Sequence, residues 1–139
     1  MKKYLLFLLA FIPVLMFNSC SSDDDNPTVN SQILGTWVNT NDIEVVVTTF
    51  NSNGTVTEIS TLKLNGAKRE YVGTFSTNND KLNINWQKYR DYNSVSKEWS
   101  DYKNDSETVV ITYSIKANQL IFLSMEGEEQ NSPVYHTRK

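Results

Sequence analysis

Asparagine recurs as a chain breaker near Asn41, Asn53, Asn65, Asn79, Asn93, Asn104, Asn118 and Asn131, an interval of about 12 to 13 residues. Asn tolerates positive φ and bonds its own backbone, so a beat of this kind divides a chain into short segments joined by tight turns. The stretches "NSNG" at 51–54 and "NG" at 65–66 are specific hairpin signals. Short turns throughout forbid the long crossovers of a Greek-key sandwich, which leaves a simple meander.

Between the breakers, β-branched and aromatic residues dominate and alternate with period two. Leu82, Ile84 and Trp86 share one face against Asn83, Asn85 and Gln87 on the other. Val109, Ile111, Tyr113 and Ile115 likewise oppose Val110, Thr112, Ser114 and Lys116. The pattern predicts antiparallel strands near 35–39, 43–50, 55–64, 69–77, 81–90, 95–102, 107–116, 119–125 and 133–138. They number nine, or eight if the first two form one bent strand.

Val56, Ile59 and Leu62 do not keep one parity, which predicts a bulge in the third strand. The segment "QLIFLSM" at 119–125 is apolar on both faces, so a cover over its outside is expected. Closing such a meander hides both edge strands. The expected fold is therefore all-β: an antiparallel up-and-down meander of eight to nine strands closing into a barrel. About eight strands leave an interior that side chains fill or that holds one small ligand. "VNSQIL" at 29–34 is the candidate for a helical plug at one end.

The chain begins with a different kind of segment. Lys2 and Lys3 precede an uncharged apolar run from Tyr4 to Phe17, interrupted only by Pro13. That is the pattern of a signal peptide, and the polar Asn18 and Ser19 arrive too early for a span of about 20 apolar residues. The single cysteine, Cys20, follows at once, and "FNSC" at 17–20 resembles the lipobox of bacterial lipoproteins, with Phe17 where the strict motif prefers Leu. The resemblance implies lipidation of Cys20, acyl chains there supplying the two anchors that stable membrane attachment requires. "SSDDDNP" at 21–27 resembles the acidic export signal of Bacteroidota surface lipoproteins and reads equally as a solvated, self-repelling tether.

The expected organisation is a signal peptide over 1–19, a lipidated tether over 20–31 and one barrel domain over 32–139. The expected location is the outer membrane, exposed at the cell surface, with a periplasm-facing anchor as the alternative. Without Lys2 and Lys3 the basic residues fall from 13 to 11 against 16 acidic ones, a net charge near −5. No basic stripe remains to favour nucleic acid. With no cysteine left in the domain, the fold must stand on packing and ladder hydrogen bonds rather than disulfides.

"GTW" at 35–37, opening the first strand of a meander barrel, resembles the lipocalin signature. Taken with "VYHTRK" at 134–139, "FNSNGTV" at 50–56, "YVGTF" at 71–75 and "YSIKANQLIFL" at 113–123, the chain resembles the small lipocalin-like lipoproteins of Bacteroidota over roughly residues 32–139. The resemblance implies a lipocalin-like barrel closed at one end by Gly35, Trp37 and Arg138, the arginine stacking across the indole. It departs from animal lipocalins in having no Thr-Asp-Tyr motif, no disulfide pair and no long lid loop after the first strand.

Catalytic material is sparse. His136 is the only histidine and no cysteine lies in the domain, so Zn clusters and Ser-His or Cys-His pairs have almost no material, and His136 reads as a surface side chain. No Gly-rich phosphate loop occurs. Glu126, Glu128, Glu129 and Asp105 lack the ligand spacing of a Ca²⁺ loop. Glu44 and Glu58, on neighbouring strands, are the one pair with acid-base potential, and the simpler reading is a solvated strand face. No enzyme activity, cofactor, metal site or catalytic residue is expected.

The segment 86–102, "WQKYRDYNSVSKEWSDY", carries Trp86, Tyr89, Tyr92, Trp99 and Tyr102 among charges, too polar for a core hairpin. It is expected to project past the rim. Two functions follow. The first is a lipid-anchored, non-enzymatic module binding a small apolar or amphipathic ligand in the barrel, with Tyr71, Phe75, Trp86, Tyr113 and Phe122 as candidate walls. The second is a solid-barrel surface protein that meets a protein, protease or glycan partner through Tyr89, Tyr92, Trp99 and Tyr102.

Overall fold

Ten strands and one 3-10 turn, Ser31–Ile33, make up the regular structure of the computed structural model, which describes residues 29–129 and 132–139. In chain order the strands are β1 (Gly35–Thr40), β2 (Glu44–Phe50), β3 (Thr55–Leu62), β4 (Lys68–Asn78), β5 (Lys81–Asn93), β6 (Glu98–Trp99), β7 (Lys103–Asn104), β8 (Thr108–Lys116), β9 (Gln119–Met125) and β10 (Val134–Arg138). All pairings are antiparallel.

Eight of the strands form a closed ring. β1 to β5 pair successively, β5 pairs β8, β8 pairs β9, β9 pairs β10, and β10 returns to β1 with Trp37 opposite Arg138. The all-β, up-and-down barrel expected from the turn spacing is the observed fold. β6 and β7 lie outside the ring, both on the far half of β5. The segment 95–102 is thus not a barrel strand, and it is its loss, not a merger of the first two strands, that brings the count to eight. The cause is length: β5 continues to Asn93, whereas its ladder with β8 ends at Asn85, so the last residues of β5 need other partners.

Alternation places Trp37, Phe50, Val56, Phe75, Leu82, Ile84, Trp86, Ile111, Tyr113 and Leu120 in the buried core. Each large side chain taken out of water there contributes about 1.5–3 kcal/mol. The strand ring closes between Gly35 and Arg138, and the core of the described residues lies inside it. At one end Ile33, fully buried, plugs the interior, Trp37 Nε1 donates to Ile33 O at 2.7 Å, and Asn30 N donates to Thr77 Oγ1 at 2.7 Å. The expected plug over 29–34 is thus a single 3-10 turn.

β3 has no bulge. Its register with β2 and β4 is continuous, and Ile59 simply points outward while Val56, Glu58, Ser60 and Leu62 take the inner parity. The irregularities lie elsewhere, at Val72/Gly73 on β4 and Thr112/Tyr113 on β8. At the first, Gln87 is the extra residue and β5 comes so near that a Cβ on Gly73 would lie 2.2 Å from Asn85 O. On β9, Ile121 is buried and Leu123 is exposed, so only part of its outer face is covered.

Candidate functional site

At the end opposite the plug, the inner faces of β2 to β5 rise above the packed core and enclose a recess of about 550 Å³. The ladder fixes which residues meet there: Thr48 lies opposite Glu58, Glu58 opposite Tyr71, Val46 opposite Ser60, and Ser60 opposite Arg69. Glu44, Val46, Glu58, Ser60, Leu62 and Tyr71 line one side, and Ala67, Lys68, Arg69, Asp91 and Tyr92 complete it. Glu44 and Glu58 are therefore not on a solvated outer face, because both carry the inward parity of their strands.

Hydroxyls hold the two carboxylates. Thr48 Oγ1 donates to Glu58 Oε2 at 2.9 Å, and Ser60 Oγ donates to Glu44 Oε2. Glu58 is pushed above the ordinary carboxylate range, chiefly by burial and further by the charge of Glu44, against the lowering effect of the Thr48 hydroxyl. On β4, opposite Ser60, Arg69 Nε donates to Asp91 Oδ1 at 2.7 Å, and this bond, more than any other influence, holds Asp91 below its usual range. Among the described residues no Lys or Arg forms a salt bridge with Glu44 or Glu58.

The candidate wall residues separate. Tyr71 borders the recess, its ring 5.5 Å from Trp86 and 5.9 Å from Tyr89. Phe75, Trp86 and Tyr113 belong to the filled core instead, Phe75 edge-on to Phe50 at 4.8 Å and Tyr113 Oη accepting from Asn30 Nδ2 at 3.2 Å. Phe122 packs beside that core, 4.4 Å from the ring of His136. The histidine is thus buried rather than superficial, because it takes the inward parity of β10 opposite Leu120. Burial lowers its pKa more than the Leu120 backbone raises it, and Nδ1 has no hydrogen-bond partner among the described residues.

The closed end carries Gly35, Trp37 and Arg138 together. The Arg138 guanidinium lies 4.2 Å from the centre of the Trp37 ring and donates to Leu34 O at 2.7 Å and Gln32 O at 2.6 Å. Gly35 has φ +113°, and a Cβ there would approach Arg138 Nη1 to 3.0 Å. Cys20 lies outside the described residues.

Beyond the rim, β5 with β6 and β7 forms a flap in which aromatic rings alternate with cations. Arg90 lies 4.6 Å from the ring centres of both Trp99 and Tyr102, Lys88 lies 4.3 Å from Tyr102, and Arg69 lies 5.0 Å from Tyr89. Tyr92 packs on Trp99 at 5.2 Å and carries Lys68 on its ring at 5.4 Å. Arg90 Nε and Tyr102 Oη both donate to Glu70 Oε2. Of the four rings named as a partner surface, Tyr102 is exposed, at 42%, and Tyr89, Tyr92 and Trp99 are half-buried.

Nothing in the spacing of Glu44 and Glu58 alone shows that they share a cavity. The available signal is the parity run Val56, Glu58, Ser60, Leu62, which puts polar groups on a core-facing side. Among the described residues no three potential ligands converge on a metal site. No protein-family model, curated protein or solved structure matches the chain.

Proposed function

We propose that the protein is a lipid-anchored, non-enzymatic binding module whose small amphipathic ligand occupies the mouth of the barrel. The recess between β2 and β5 carries this reading. Its volume of about 550 Å³ suits one small molecule, and it joins apolar Val46, Leu62, Ala67 and Tyr71 to a few polar groups. The binding place is the rim rather than the deep interior, where Phe75, Trp86 and Tyr113 pack with the core.

The anchored arrangement suits such a module. Asn30, the residue near the start of the described chain, is fastened at the plugged end, opposite the mouth. The flap is the weaker candidate for recognition, because its rings already hold cations of the same chain.

Native and denaturing mass spectra of residues 21–139, recorded after exposure to cell extract, test the reading. The expected result is an added mass that denaturation removes and that Val46→Trp, which fills the recess, prevents. A bare mass after soaking would overturn it. Anchoring is checked separately by labelled palmitate, whose incorporation should vanish in Cys20→Ser.

A further inference from the structure

We propose that the recess selects a small organic cation, an aryl- or alkylamine whose ammonium group sits between the Glu44 and Glu58 carboxylates while its apolar body lies on Val46, Leu62, Ala67 and Tyr71. The inference rests on the reading of the recess as a ligand site and assigns that ligand its charge.

Charge within the recess is divided unevenly. Asp91 is matched twice, by Arg69 at 2.7 Å and by Lys103 at 3.5 Å. Lys68 rests on the Tyr92 ring. Among the described residues the side-chain partners of Glu44 and Glu58 are the Ser60 and Thr48 hydroxyls, with no salt bridge to either. Ser60, which holds Glu44, is the next inward residue after Glu58 on β3, so the two carboxylates face one recess where burial already disfavours charge, a standing electrostatic cost. A cation entering between them removes it, and attraction in such partly desolvated surroundings exceeds that in bulk water.

The hydroxyls also fix direction. Ser60 and Thr48 engage Oε2 of each glutamate, orienting the groups before any ligand arrives, so less ordering remains to be done on binding. An ammonium is a compact head with three donors and no acceptor, which suits two acceptor groups on adjacent strands. An anion meets repulsion at the same place, and the one guanidinium in reach, Arg69, is already held by Asp91. The apolar part of the ligand has its own surface in Tyr71, which begins a row of rings continuing to Trp86 and Tyr89.

Phenethylamine, 2-phenylethanol and 3-phenylpropionate share a body and differ in head charge. Titrated into ¹⁵N-labelled residues 21–139, the amine should shift the amides of residues 44–46, 58–60 and 67–71. The alcohol should bind at least about tenfold more weakly and the acid not at all. Glu58→Gln and Glu44→Gln should each weaken the amine about tenfold with little change elsewhere in the spectrum, since the substituted carboxamide at position 58 can still accept from the Thr48 hydroxyl. Equal binding of amine and alcohol, unaltered in both variants, or preference for the acid, would overturn the cation assignment while leaving the recess a ligand site. Absence of shifts there with all three compounds would overturn both.

Discussion

The Arg138 guanidinium stacks 4.2 Å from the centre of the Trp37 ring, joining the last strand to the first across the seam that closes the barrel. The same side chain reaches back to the carbonyls of Gln32 and Leu34, so one residue holds the seam and the plug together. Stacking is worth about 0.5–2 kcal/mol and hydrogen bonds from a charged donor add to it. Arg138→Ala should lower unfolding stability in urea by about 2 kcal/mol. Arg138→Lys should recover less than half of the loss, since an ammonium can neither stack as a plane nor fork to two carbonyls.

Gly73 is the point where β5 crosses closest to β4. A Cβ there would meet Asn85 O at 2.2 Å and Trp86 Cα at 3.0 Å, backbone that side-chain rotation cannot move aside. Gly73→Ala should cost roughly 3 kcal/mol and lower the Tm by more than about 10 °C. A melt within a few degrees of the wild type would mean that the bulge at Gln87 yields easily.

Glu58 gives the barrel a pH dependence of definite sign. Its pKa is raised on folding by burial first and by Glu44 second, so the folded state holds this proton more tightly than the unfolded one. The stabilisation is complete below about 4.5, the ordinary value, and is lost as pH rises through the folded-state pKa. The charged groups that line the recess with it are Glu44 on β2, Lys68 and Arg69 on β4 and Asp91 on β5, Arg69 being engaged by Asp91. Glu58→Gln should therefore be the more stable protein at about pH 7.5, and its advantage should shrink toward pH 4.5 in paired urea titrations.

His136 works in the opposite sense. Its pKa is lowered, chiefly by burial, so the neutral ring's contribution is complete above about 6.5 and is lost as pH falls through the folded value. His136→Phe keeps a ring against Phe122 and removes the titration. Its stability difference from the wild type should move in the variant's favour between about pH 7 and pH 5, a trend that equilibrium denaturation at three pH values would detect.

The flap depends on Arg90. This residue stacks on Trp99 and Tyr102 and bonds Glu70, whose side chain is only 14% exposed. Arg90→Ala strips Trp99 of its cation, leaves Tyr102 with Lys88 alone and leaves Glu70 with the Tyr102 hydroxyl. Hydrogen exchange should accelerate at least about tenfold at the β6 and β7 amides, while the exchange of β1 and β2 stays unchanged because neither strand touches the flap ladder.

Turn chemistry and side-chain alternation are local properties, and from them the sequence by itself determined the strands, the meander and the all-β class. The faces of 82–86 and 109–115 follow directly, since a strand turns each successive side chain to the opposite side. What lies inside a barrel is decided by its stagger and by how far each strand outruns its neighbours, which no single segment contains. Only the tertiary structure decided that β5 outlasts β8, that 95–102 hangs on it as a flap, and that Phe75, Trp86 and Tyr113 sit in the filled part while Tyr71 borders the open part. The inward run Val56, Glu58, Ser60, Leu62 shows why the recess is hidden in the sequence: apolar parity breaks where a core-facing strand carries polar groups, which reads locally as a bulge. His136 reads as a surface residue for the same reason, because its burial comes from β9 and Phe122 across the sheet and not from its neighbours in sequence.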